Sequence, residues 1–214
     1  RLGAISPDRF IPIAEESGLI LALTETITLQ ACAAARDWPE VDGRPIRLAI
    51  NLSPKLFIDP HLVARITGWL RQEGIQPQRV ELEITESVFL DDPQRALRTL
   101  KAFKEKGFHL AMDDFGTGYS SLSYLRHFPL DTIKIDRSLV TDLEAQRDAA
   151  MIARAVVSLG LSLGKTVVAE GVEHESQFSA LREQGCAGFQ GYLFARPLTG
   201  TDLLRCLGEG AGAL

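Results

Sequence analysis

The chain has 214 residues, 45% of them hydrophobic and 24% charged, with a formal net charge of −5. This is the make-up of one ordinary globular domain, and the acidic balance argues against a DNA or RNA polymer as partner, because neutralising phosphates needs a basic surface. The three cysteines, Cys32, Cys186 and Cys206, are far apart and form no CxxC pair, which excludes a disulfide framework or a zinc site and fits a reducing, cytoplasmic compartment, with a membrane-anchored parent left open.

The opening residues read as a loop punctuated by Gly3, Ser6 and Pro7, with Ser6 or Asp8 available as a cap. The stretch FIPIAEESGLI at 10–20 reads as a short turn of helix closed by Gly18. A longer helix then runs to about Asp37 and ends at Trp38-Pro39. Its apolar part, Leu19–Ala35, is interrupted by Thr24, Glu25, Thr26, Thr28 and Gln30, so it reads as a buried or amphipathic helix, not a membrane span.

From there an alternation sets in. Strands are expected at Ile46–Leu52, Val80–Thr85, Phe108–Asp113, Thr132–Asp136, Thr166–Glu170 and Gly188–Tyr192. The helices between and after them are expected near His61–Glu73, Pro93–Lys106, Ser121–His127, Arg147–Leu163, Glu175–Gln184 and Thr201–Leu207, several followed directly by glycine. The tail from residue 208 to residue 214 reads as frayed. Strand followed by helix throughout implies a parallel sheet with right-handed crossovers, and no linker divides the chain, so residues 1–214 read as a single domain.

Side chains alternate across a strand, so parity sorts the faces. Each expected strand has one apolar face suited to covering helices and a second face that ends in a polar group: Asn51, Glu83, Asp113, Lys134, Glu170 and Gln190. All lie near the C-terminal ends of their strands, which is the active-site end of a closed β/α barrel. In an open doubly wound sheet the same groups would lie under helices without compensation. The fold expected is therefore α/β, a barrel of the (β/α)₈ type.

Converging Glu83, Asp113 and Asp114 would repel one another unless a cation neutralised them. Oxygen donors without paired His or Cys favour Mg²⁺ or Mn²⁺ over zinc. Asp113 can bridge two ions about 3.5–4 Å apart, the spacing of two-metal phosphoryl hydrolysis. Lys134 supplies a positive charge to a phosphate oxygen or the attacking water, and Glu170 is either a general base or a ligand of the second metal.

Together, NLS at 51–53, ELEITES at 81–87, DDFGTGYSSL at 113–122, KIDRSL at 134–139, AEGVE at 169–173 and QGYLFARP at 190–197 resemble the EAL domain, as does FIPIAEESGLI at 10–20. The resemblance covers essentially the whole chain in the family's order. It implies a modified (β/α)₈ barrel that hydrolyses cyclic di-GMP to linear pGpG with two Mg²⁺ or Mn²⁺ ions. By the same resemblance, Asn51, Glu83 and Asp113 ligate metal, Asp113 and Asp114 serve the second ion, and Glu170 is the glutamate required for catalysis. Lys134 stands near the attacking water, and Glu173 and Gln190 line the substrate site. Glu86 anchors the loop Phe115-Gly116-Thr117-Gly118, which the family ties to dimerisation and regulation, so a homodimer through that loop is implied, with a sensory or GGDEF-type domain on the N-terminal side. Asp136 and Arg137 read as structural, and Glu81 as paired inside the barrel.

The family's Glu-Ala-Leu motif, whose glutamate is a metal ligand, precedes the first residue given. The N-terminal barrel strands are therefore expected to be absent from this chain, and the fragment alone is expected to be poorly active. The leading reading is a metal-dependent phosphodiesterase; the alternative is a catalytically inactive cyclic di-GMP receptor or scaffold domain.

Overall fold

The computed structural model describes residues 3, 5–41, 43–116, 126–141, 143 and 147–208. The first helix, α1, spans Pro7–Glu16, longer than the single turn expected. Pro7 starts it because a missing N–H costs nothing in the first helical turn. α2 follows at Ile20–Ala35, and a two-residue hairpin pairs Glu40–Val41 with Arg44–Pro45 where only a loop is expected.

Six strands form the main sheet: β1 (Leu48–Asn51), β2 (Val80–Thr85), β3 (His109–Phe115), β4 (Thr132–Ile135), β5 (Thr166–Glu170) and β6 (Gly188–Gln190). β2 and β5 have the expected bounds. β1, β4 and β6 are shorter, and β3 runs two residues past its expected end at Asp113. The helices between and after the strands are α3 (Leu62–Gln72), α4 (Pro93–Glu105), α5 (Arg137–Thr141), α6 (Arg147–Ser162), α7 (Glu175–Gln184) and α8 (Gly200–Gly208). α5 is not expected from the sequence. Its first turn is capped by Asp136, whose Oδ1 accepts hydrogen bonds from the Ser138 N–H at 2.9 Å and from Ser138 Oγ, in keeping with a structural Asp136. Most of the helix expected near Ser121–His127, Thr117 and Gly118, and the tail from residue 209 lie outside the described residues.

Neighbouring strands pair in parallel and in chain order, from β1 to β6. In a doubly wound sheet the order reverses at a switch point and helices cover both faces. Right-handed crossovers that always step in one direction put every helix on one side. The sheet accordingly curls into a half-barrel, with its other face turned inward.

Burial follows this division. Leu82, Ile84, Leu110, Met112, Ile133, Ile135, Val167 and Ala169 face the helices and are buried with Leu62, Ile66, Leu100, Phe103 and Leu181. Each large aliphatic side chain in this layer contributes about 1.5–3 kcal/mol by leaving water. At the N-terminal ends of the strands the polar groups are paired. Asp131 accepts two hydrogen bonds from Lys104 Nζ, at 2.7 and 2.8 Å, and one from the Leu110 N–H at 2.9 Å. Glu81 accepts from Thr132 Oγ1 at 3.0 Å and lies 3.4 Å from Arg47, as its expected pairing inside the barrel requires.

Cys32 and Cys186 are buried in this fold. Burial pushes both thiols up to about 11, with the Glu73 charge adding to the effect at Cys32. Cys206, in α8, is only half-buried. In the native protein at pH 8 a thiol reagent should therefore modify Cys206 first, with Cys32 and Cys186 reacting only after denaturation, since thiolate and access set the rate. Mass mapping that finds Cys32 labelled as fast as Cys206 would contradict this packing.

Candidate active site

The site begins with an irregularity in β3. Met112 pairs with Ile133 and Phe115 with Ile135, so three steps along β3 match two along β4. The extra residue is a β-bulge at Asp113-Asp114, opposite Lys134. Asp114 absorbs it with φ of 53°, a left-handed conformation that Asp tolerates better than most side chains. Its N–H donates to Asp113 Oδ1 at 3.1 Å. Strict alternation would send these two carboxylates to opposite faces; the bulge gives both to the inner side. Asp114 therefore lies within the strand, past its expected end at Asp113.

Lys134 stands at the centre, 5% exposed. Its Nζ lies 2.6 Å from Glu83 Oε1, 2.5 Å from Glu170 Oε1 and 3.5 Å from Asp113 Oδ1. One carboxylate oxygen from each of Asp113, Asp114 and Glu170 lies within 4.8 Å of the others. Glu83, Asp113 and Lys134 are buried; Asp114 is exposed and Glu170 is intermediate.

Burial alone would lower the pKa of Lys134, but the carboxylates of Glu83, Glu170 and Asp113 more than reverse this and raise it. Burial raises Glu83, with Lys134 opposing. Burial also raises Glu170, where Lys134 opposes and Asp113 and Glu83 reinforce. Asp114 is pushed up to about 6 by desolvation, then by the charges of Asp113, Asp136 and Glu170. The cluster thus holds four carboxylates and one ammonium, which leaves three negative charges in excess when all are ionised.

The donor set consists of hard oxygens, and it suits Mg²⁺, Mn²⁺ or Ca²⁺ better than zinc. Asp113, Asp114 and Glu170 are close enough together to hold such an ion, and Glu83 adjoins them through Lys134.

The other expected site residues lie at the ends of the same strands or in the connections that follow them. Asn51 ends β1 in register with Glu83, and Gln190 ends β6 in register with Glu170; both are exposed. Asn51 and Asp114 line a cleft of roughly 1030 Å³ between the sheet and helices α1 and α2. Ser53, also on its wall, donates to Glu15 of α1 at 2.6 Å. Glu173 is exposed, three residues beyond Glu170. Glu86 accepts a long hydrogen bond, 3.5 Å, from the Gly116 N–H. Gly116 has φ of 103°, and a Cβ there would sit 2.6 Å from Leu139 of α5, so the start of this loop needs glycine.

Two features escape a reading by alternation. The bulge leaves a faint signal, two consecutive aspartates followed by the apolar Phe115. The other is Gln177, a buried glutamine at the third position of α7, where the signature is a helix-start pattern and not a strand end.

Comparison with known proteins places this geometry. The EAL domain pattern matches residues 1–197. A relative from Pseudomonas aeruginosa, the bifunctional diguanylate cyclase/cyclic di-GMP phosphodiesterase MucR, is 38% identical over 202 residues, 94% of this chain and 30% of MucR. The solved structure of the PaMucR phosphodiesterase in complex with c-di-GMP superposes with a TM-score of 0.90 at 37% identity, covering 95% of this chain and 82% of that one. A manganese/c-di-GMP complex of Klebsiella pneumoniae BlrP1 superposes at 0.72 with 37% identity, covering 82% and 45%. The chain spans about a quarter to a third of the length of the curated relatives it matches. With the pattern running unbroken from β1 to β6 and enclosing the whole carboxylate–lysine cluster, the chain belongs to the EAL domain family.

Proposed function

We propose that residues 1–214 form a single EAL domain acting as a metal-dependent phosphodiesterase that opens cyclic di-GMP to linear pGpG. The observation that carries this reading is the convergence of Glu83, Asp113 and Glu170 on Lys134, with Asp114 beside Asp113 and Glu170, at the C-terminal ends of the parallel strands. The c-di-GMP complex of the PaMucR phosphodiesterase and the manganese/c-di-GMP complex of BlrP1 support the ligand and the use of a divalent ion.

Asp113, Asp114 and Glu170 would hold the metal, with Glu83 and Asn51 beside them. Divalent ions, when bound, offset the excess of negative charge and lower the pKa of a water molecule that they hold. Lys134 keeps its proton at neutral pH because its pKa is raised, so it serves as a fixed cation for a phosphate oxygen and not as a base. Glu170, raised by burial, is a stronger base than an exposed carboxylate and is suited to take the proton of the attacking water. Water oxygen bonds to phosphorus, one bridging P–O bond breaks, and the departing ribose oxygen takes up a proton. Gln190 and Glu173 flank the substrate, and Glu86 holds the loop that starts at Phe115. Homodimerisation through that loop belongs to the same reading, as do further N-terminal domains in a larger cytoplasmic or membrane-anchored parent.

In the complete protein, turnover of cyclic di-GMP should require Mg²⁺ or Mn²⁺, and full activity in excess EDTA would sink the metal assignment. Glu170→Gln should lower kcat by about 10²–10⁴-fold, the usual worth of a general base, while ligand binding persists. Wild-type binding without turnover would instead favour a receptor domain.

Replacing Lys134 by Met leaves buried carboxylates without their cation. The metal-free protein should lose about 3–5 kcal/mol of stability in urea titrations, and added Mg²⁺ should recover much of that loss. An unchanged midpoint would refute the central role given to Lys134.

Asp114 links the site to pH. A carboxyl whose folded pKa lies above its unfolded value retains a proton in the native state between pH 3.8 and about 6. The metal-free protein should therefore lose stability as pH rises through that window. Metal binding needs the ionised form, so Mn²⁺ affinity measured by calorimetry should be about tenfold weaker at pH 5 than at pH 8. A flat affinity profile would remove Asp114 from the ligand set.

A further inference from the structure

Gln177 lies in α7, away from every strand end, and is 3% exposed. Its Oε1 accepts from the N–H of Glu173 at 2.9 Å and from the N–H of His174 at 3.0 Å, and its Nε2 donates to the C=O of Val140 at 3.3 Å. Two N–H donors on one side and a carbonyl on the other leave the carboxamide one orientation. Val140 belongs to the last turn of α5, where its C=O also accepts from the Leu143 N–H at 3.3 Å, and the N–H groups of Glu173 and His174 lie just ahead of α7, where donors lack partners inside the helix. One buried side chain thus ties the connection after Lys134 to the connection after Glu170.

The segment between Glu170 and Gln177 has little freedom elsewhere. Gly171 has φ of 70°, and a Cβ there would sit 2.5 Å from Arg137 Cβ. Val172 is fully buried, donates to the Gln190 C=O at 3.0 Å and accepts from the Leu193 N–H at 3.0 Å. Glu170 is fixed by its strand and by Lys134. Glu173 is the residue whose backbone is held by Gln177, and its side chain is exposed.

We propose that Gln177 is a positioning residue of the substrate site: its carboxamide holds the backbone of Glu173 and ties it to the end of α5, so that Glu173 faces the ligand in one conformation. This rests on the assignment of Glu173 to the substrate site made above.

The test is a double-mutant cycle on the complete protein, read as KM and kcat for cyclic di-GMP at a temperature where circular dichroism shows each variant folded. Gln177→Leu should raise KM about tenfold, with most of the loss in KM and not in kcat. Gln177→Glu keeps both acceptor bonds and sets an oxygen against the Val140 C=O in place of the donor, so it should raise KM less. In a Glu173→Ala background Gln177→Leu should change KM by less than about twofold, because the two residues act as one unit. Equal increases in both backgrounds, or an unchanged KM with a lowered thermal midpoint, would show a purely structural glutamine and overturn the proposal. If Gln177→Leu does not fold, Gln177→Glu carries the same cycle. A wild-type protein that neither hydrolyses nor binds cyclic di-GMP defeats the functional reading before any variant is made, and this proposal with it.

Discussion

Everything on the inner face of the sheet depends on one ammonium group. Lys134 Nζ touches carboxylates from three other strands, Glu83 of β2, Asp113 of β3 and Glu170 of β5. Placing any of these acids alone in so buried a position would cost several kcal/mol; together with Lys134 they are tolerated, though burial still raises Glu83 and Glu170. The N-terminal ends of the same strands show the contrast. There Asp131 has Lys104, and Glu81 has Arg47 and Thr132, so each acid is matched by its own donors. At the C-terminal ends three carboxylates share one lysine, and Asp114 adds a fourth beside Asp113 and Glu170. A structural ion-pair network has no reason to carry that excess, and a cation-binding site does.

The excess exists because β3 breaks its own alternation. With regular pleating, Asp114 would lie on the helix-facing side, among Leu110, Met112 and their partners, where a carboxylate has no donor. The bulge opposite Lys134 moves it to the inner side, and the left-handed conformation of Asp114 is what that move requires. Phe115 then returns to the apolar side and is buried. Local backbone strain and charge crowding are thus concentrated in the same two residues, which is where a bound cation would relieve the crowding.

Much of this was legible in the sequence. Alternation in VELEIT and TVVAE set the bounds of β2 and β5, and the polar residue near the end of each strand marked the open end of the barrel. What stayed hidden was of a different kind. A bulge is a change of register, set by the pairing of β3 with β4, and register is a property of two strands and not of either one. α5 has five residues, too few for a hydrophobic period to appear, and it depends on the Asp136 cap and on packing of Leu139 and Val140. Gln177 is polar at a helix start, where polar residues are usual, and only its burial sets it apart. The hairpin at Glu40–Pro45 pairs two residues with two, below the length at which strand propensity can be read.

The two sides of the site are built to different stiffness. On the side of β4, β5 and β6 the connections interlock: Arg137 packs under Gly171, Gln177 joins α5 to α7, and Val172 bonds to the backbone of Gln190 and Leu193. Gly191 sits so close to the backbone of Val172 that no Cβ fits. Catalysis by positioning needs such a frame, because small displacements of a reacting group are costly in rate. On the side of β1 to β3, Asn51 and Asp114 face an open cleft, and Ser53 ties that wall to Glu15 of the helix opposite. Glu170 and Lys134 therefore stand on the rigid half, and Asn51 on the half with room beside it. An assembly of this kind keeps Glu170 and Lys134 in place while leaving the approach from α1 and α2 open.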